Sequence, residues 1–187
     1  MSSDFTKTQY FKYLLDNAAT LEKERLQFNS KIIDLLNRQV DELGLILKSH
    51  LIIEYYIDEY IITAFPAIIE PEKLRLTFNQ KLELINNDKT VFGMAYSAIK
   101  SLNTLRNKFS HKLSYKTVDS DYKEIKDLMT IWNNALGEQT PTGLILIQEF
   151  SVWICGNLDS MTRGIKRETP ELGLSGYLTF LHKMTSV

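Results

Sequence analysis

The stretch Leu105-Arg106-Asn107-Lys108-Phe109-Ser110-His111 gathers side chains that do chemistry. An arginine presents a planar fork that holds phosphate oxygens through two hydrogen bonds. A histidine titrates near neutral pH and can move protons. Asn107 and His111 stand at i and i+4, so they share a helical face, and Arg106 borders it. At roughly 100° per residue, Arg106 and His111 lie about 140° apart. They do not stack, but the long arginine fork reaches the volume in front of the imidazole. Ser110 adds a supporting hydroxyl. Together these groups suit metal-independent RNA cleavage. One assists attack of the 2′-hydroxyl on phosphorus, while the others stabilise charge on the phosphorane and the leaving oxygen. General acid and general base are two jobs, however, and each chain offers one histidine here. A symmetric homodimer would bring two histidines and two arginines to one cleft.

The surrounding charge fits such a target. From Lys89 to Val118 there is no Asp or Glu, and the window holds Lys89, Lys100, Arg106, Lys108, Lys112 and Lys116. It carries +6 on a chain of net charge −1, so the remainder carries −7. A chain that coats nucleic-acid backbone is usually basic throughout. A local basic surface suits a small anion or a short piece of RNA instead, with Lys100, Lys108 and Lys112 as candidate contacts. The same run of charge also fits a plain solvated face.

Other chemistries lack their residues. The histidines are His50, His111 and His182, none at the spacing of a zinc helix, and the single Cys155 rules out thiolate clusters and internal disulfides. No phosphate-cradling glycine loop and no G-x-S-x-G elbow is present. No metal or cofactor is expected. The start of the chain lacks an apolar signal core, and Leu45 to Phe65 is interrupted by Lys48, His50, Glu54, Asp58 and Glu59, so no membrane span is expected and the cytoplasm is the expected location.

The elements that must position the cluster read as helices. Apolar residues recur in steps of three and four over Phe5–Phe28, and Asn29-Ser30 is a candidate break or cap before a continuation over Lys31–Leu47, which Gly44 bends or ends. Leu45–Phe65 is apolar nearly all round, which predicts a central helix ended by Pro66. Its exceptions His50, Glu54 and Asp58 stand at i, i+4 and i+8. They form either a solvent-facing stripe or a buried polar seam with partners. His50 reads as an interior or edge histidine. Pro71 to Asn86 is a further helix, and Asn86-Asn87-Asp88 a turn. Val91–Ser110 carries the cluster on one face and an apolar stripe on the other. Asp119–Leu136 points Tyr122, Ile125, Leu128, Met129, Trp132 and Leu136 inward, and Gly137 stops it. Gly143–Leu158 is so apolar that it is either central or an oligomer contact. Met161–Thr169 reads as a basic loop, and Pro170–Met184 as a last helix. With no strand alternation, 187 residues and 44% hydrophobic composition predict one all-α domain over 1–187, an up-and-down bundle of six to eight helices.

The run Leu-Arg-Asn-Lys-Phe-Ser-His resembles the R-x-x-x-x-H signature of the HEPN superfamily, in which a polar residue, often asparagine, follows the arginine. Ser49-His50-Leu51-Ile52-Ile53-Glu54-Tyr55-Tyr56-Ile57-Asp58 resembles the earlier helix of that fold, where an acidic residue often faces the motif. The wording is most similar to the branch containing the mannitol-operon repressor family. The resemblance covers about residues 40–136, with flanking helices at both ends. It implies a dimerising helical bundle in which Arg106 and His111 are catalytic, Asn107 assists and Glu54 orients Arg106. Many HEPN proteins are metal-independent RNases in toxin–antitoxin, phage-defence and RNA-processing systems, while the mannitol branch is described as regulatory.

Two functions follow as expectations. The first is a dimeric endoribonuclease, a toxin or phage-defence effector with RNA as substrate and a cognate antitoxin or regulatory protein as partner. The second is a non-catalytic regulator, or a protein- or nucleotide-binding module, whose Glu54, Arg106 and His111 hold the fold or the dimer.

Overall fold

The computed structural model describes residues 9–36, 41–66, 75–86, 90–111 and 115–185, with the side chains of 184 and 185 left out. Among the described residues there are seven α-helices, one 3-10 turn and no strand, an all-α helical bundle. The helices are α1 (Gln9–Leu36), α2 (Glu42–Ala64), α3 (Phe78–Ile85), α4 (Val91–His111), α5 (Lys123–Leu136), α6 (Gly143–Glu168) and α7 (Gly173–Thr185). The 3-10 turn is Asp119–Tyr122 and leads directly into α5. No helix among the described residues is long and apolar enough to cross a membrane.

Local chemistry sets the ends. The Asp41 carboxylate accepts from the Gly44 amide at 2.7 Å, which starts α2 and places Gly44 in its first turn rather than at a bend. Thr77 and Gln80 form a reciprocal capping box that starts α3. Pro66 follows the end of α2, and Gly137, at φ 74°, takes the left-handed conformation that closes α5. The expected Pro71 start and the Asn87-Asp88 turn lie outside the described residues.

α2 and α6 form the central pair. Ile46, Ile53, Ile57, Tyr60 and Ile61 from α2 meet Leu146, Ile147, Phe150, Ile154 and Leu158 from α6 in one buried cluster. α3 and α4 pack against α2, α1 and α7 flank α6, and α5 closes against α4 and α6. Gly143–Leu158 is therefore central, as one of its two readings held. The core is not confined to residues 40–136, because α6 supplies half of its central pair.

Three expectations are corrected. α1 runs through Asn29-Ser30 without a break. Neither residue disrupts a helix as glycine or proline does, and half-buried Phe28 packs edge-on against Tyr56 at 5.3 Å to hold the turn. Met161–Thr169 is not a loop, because α6 continues to Glu168. Leu158, Thr162 and Ile165 keep one buried face, while Arg163 and Arg167 carry ion pairs on the other. Trp132 and Leu136 do not point inward. They are 44% and 57% exposed, and the line that α5 buries is Ile125, Met129 and Asn133 instead.

Candidate functional site

The apolar stripe of α4 places the cluster. Phe92, Ala95, Ala98, Ile99, Leu102, Leu105 and Phe109 are buried, and Phe109 stands edge-on to Tyr115 at 5.3 Å. Locking that face fixes the rotation of the helix, and so where Arg106, Asn107, Ser110 and His111 emerge. One flank of α4 turns a line of amides and the arginine toward α2 and α3. The other turns lysines toward the 3-10 turn.

On the first flank, His50, Glu54 and Asp58 form a partnered seam. His50 is 3% exposed, and its Nε2 lies 3.0 Å from Asn103 Oδ1. A carbonyl oxygen only accepts, so Nε2 carries the proton and Nδ1 is the bare nitrogen of the neutral ring. Nδ1 is buried without a hydrogen bond, 3.8 Å from Glu54 Oε2. Asn103 donates onward to Asn79 Oδ1 at 3.3 Å, and the His50 ring lies 4.3 Å from that of Phe78. Burial holds the His50 imidazole below its usual titration range. Asn103 and Glu54 pull it back up, while the charges of Arg106 and Lys81 add to the depression.

The two acids of the seam belong to Lys81. Its Nζ stands 2.8 Å from Glu54 Oε1 and 2.8 Å from Asp58 Oδ2. Burial pushes the Lys81 ammonium down, but the bonds to Asp58 and Glu54 outweigh it and hold the group above its usual range. Glu54 was expected to orient Arg106. Instead, among the described residues, Arg106 finds its side-chain partner in Asn107, donating from Nη1 to Oδ1 at 2.9 Å. Arg106 and Asn107 are both half-buried, while Ser110 and His111 are exposed at the last turn. The Ser110 hydroxyl donates to the Arg106 carbonyl at 3.0 Å, which ties that turn together. His111 is the final residue of α4.

The lysines separate from the arginine. Lys100 and Lys108 line an open cleft of about 450 Å³ between α4 and the 3-10 turn, together with Thr104, Ser120 and Glu124. At roughly 100° per residue this flank lies about 160° round the helix from Arg106. Lys108 is held by Asp121 at 2.5 Å and lies 5.5 Å from the Tyr115 ring. Burial raises the Asp121 carboxyl, yet bonds from Lys108, Tyr115 and the Val118 amide together hold it below the usual range. Lys100 lies over the Tyr96 ring at 5.4 Å. Lys112 lies outside the described residues. The structure thus joins Arg106, Asn107 and Ser110 by hydrogen bonds, with Glu54 and Asp58 across the seam on α2, while His111 ends the helix about 140° round from Arg106 at roughly 100° per residue. It sets Lys100 and Lys108 apart from Arg106, on the flank that faces the 3-10 turn.

Lys81, Asn79 and Asn103 do not stand out from the sequence. A signal was present, since one lysine on the short helix Phe78–Ile85 complements the two acids at i and i+4 on α2. Among the described residues, no three His, Cys, Asp or Glu side chains converge as ligands for a metal ion. The chain matches no family model, no curated protein and no solved structure.

Proposed function

We propose that this chain is a metal-independent endoribonuclease of HEPN type, acting as a homodimer whose twofold axis passes near the end of α4. One observation carries the reading. Lys81 takes both acids of the α2 seam, and among the described residues the Arg106 guanidinium keeps a neutral partner, Asn107, on a helix that ends in the exposed His111. A half-buried cation with no carboxylate on it among the described residues is prepared for an anion from outside, and phosphate matches its fork.

In the proposed reaction the 2′-oxygen attacks phosphorus and the bond from phosphorus to the 5′-oxygen breaks. One His111 accepts the 2′-hydroxyl proton, and the His111 of the second copy protonates the leaving 5′-oxygen. Arg106 carries the negative charge of the phosphorane, and Asn107 holds the guanidinium plane. The products are a 2′,3′-cyclic phosphate and a free 5′-hydroxyl. The working place is the cytoplasm, where a toxin or phage-defence effector of this kind meets its RNA.

The test is cleavage of total RNA in excess chelator, with end-group analysis of the fragments. Wild type should cut and leave cyclic phosphate ends, and His111→Ala should not. Equal cleavage by both proteins would overturn the reading, as would activity that disappears with chelator. The alternative is a regulator in which these residues hold the structure. The internally bonded seam of His50, Asn103, Glu54, Asp58 and Lys81 favours it for those five residues. It predicts that Arg106→Ala lowers the melting temperature and changes no RNA-directed activity.

A further inference from the structure

Away from the α4 cluster, a trough of about 1060 Å³ runs between α1 and α6, with the C-terminal half of α5 as its third wall. α1 and α6 are antiparallel along it. Tyr13 lies under Arg167, Glu24 pairs with Arg163, and Phe28 lies beside Gly156. From Ile145 to Arg167 the α6 wall is about 33 Å long at roughly 1.5 Å per residue. Its α5 end is apolar and open. Trp132 packs edge-on against Trp153 at 5.8 Å, and Ile145, Leu136 and Trp132 are 60%, 57% and 44% exposed.

The charges along this trough are unequally settled. Each arginine that lines it already holds an acid: Arg25 on Glu22, Arg163 on Glu24 and Asp159, Arg167 on Glu168. The acids Glu138 and Glu149 line its Trp132–Ile145 end and have no ion pair among the described residues. Among the described residues, two carboxylates therefore remain without a counter-charge beside the most exposed apolar side chains of the trough.

We infer that this trough is a docking site for an amphipathic helix of another protein, with bulky apolar residues at i, i+3, i+4 and i+7 and lysine or arginine where it crosses Glu138 and Glu149. The length fits a helix of about twenty residues and exceeds what a compact small molecule spans. A second copy of this chain fits poorly. Twofold pairing through the same face would gather both pairs of unpaired glutamates into one interface, where like charges repel. The site is independent of the proposed reaction.

The experiment sorts a yeast-display library of random 20-residue segments with the full-length protein and sequences the bound pool. Enriched segments should show apolar spacing of three and four and an excess of Lys and Arg toward one end. Their binding should fall at least about tenfold for Ile145→Asp and for Trp132→Ala, both exposed positions whose melting temperatures serve as the folding control. It should fall about fivefold for the double variant Glu138→Gln/Glu149→Gln, with a difference that shrinks as salt rises. The inference is overturned if nothing enriches, if the enriched segments lack the spacing or the basic bias, or if both apolar variants bind as wild type does. Sedimentation showing a dimer that Ile145→Asp dissociates would assign the face to a second copy instead.

Discussion

Two polar regions lie within a few turns of each other along α4, and they are finished differently. In the seam, nearly every charge has its counter-charge: Lys81 spans Glu54 and Asp58, and His50 is locked to Asn103 and through it to Asn79. At the end of α4, Arg106 faces a neutral amide and His111 faces solvent. Buried polar groups with internal partners contribute to stability and to a single packing arrangement. A cation and a titratable group in the last two turns of one helix, both without an acid among the described residues, contribute little to either and are suited to a ligand. The contrast divides one polar surface into a part that holds the fold and a part that can act.

The largest expected effect lies at the unfinished end. Arg106→Ala and His111→Ala should each lower chelator-resistant RNA cleavage by about 100-fold or more while moving the melting temperature by less than about 2 °C. Initial rates and calorimetry on the same preparations check this. A large loss of stability in Arg106→Ala would move that residue into the seam.

Next comes the seam itself. Lys81→Met removes the cation and leaves two carboxylates facing each other in a half-buried place. It should cost about 2 kcal/mol, a fall of roughly 5 °C in melting temperature, with cleavage by the folded protein retained. Replacing both acids as well, Glu54→Gln/Asp58→Asn/Lys81→Met, should recover part of that loss. Recovery of none would mean that Lys81 acts through its packing rather than its charge.

The loop after α4 offers a smaller test. The Asp121 side chain is 2% exposed and receives Lys108, Tyr115 and the Val118 amide. Asp121→Asn should cost about 1–2 kcal/mol by chemical denaturation. Lys108→Ala should cost less than about 1 kcal/mol, because its ammonium is partly solvated.

The smallest effect is in pH dependence. The folded His50 titrates below its ordinary 6.5, chiefly because it is buried. The unfolded chain therefore binds a proton first as pH falls below about 6.5, and stability declines from there toward the lower folded value. His50→Gln should flatten that decline in melting temperature between pH 7 and 5. An unchanged slope would place the titrating group elsewhere.

Much of this division was legible in the sequence, and the gaps have physical causes. Apolar steps of three and four marked the helices, and Pro66 and Gly137 marked two ends, because these signals are local. The Arg106–His111 pattern was visible for the same reason. The partner of Glu54 was not, because Lys81 sits on another helix and nothing within either segment specifies their contact. Basic residues after Met161 suggested a loop, yet Arg163 and Arg167 are ion-paired on a helix whose other face stays buried. The α5 stripe placed Trp132 and Leu136 inward, since apolar periodicity does not show that the polar Asn133 takes the buried line. The pairing of α2 with α6, about a hundred residues apart, could not be read from either helix alone.

The central claim is that Arg106 is kept for a ligand while Lys81 is kept for the fold. The direct measurement is a side-by-side determination of melting temperature and RNA cleavage in chelator for Arg106→Ala and Lys81→Met. Arg106→Ala should melt with wild type and fail to cut, and Lys81→Met should melt early and still cut below its transition. An Arg106→Ala protein that melts early yet cuts at the wild-type rate while folded would contradict it.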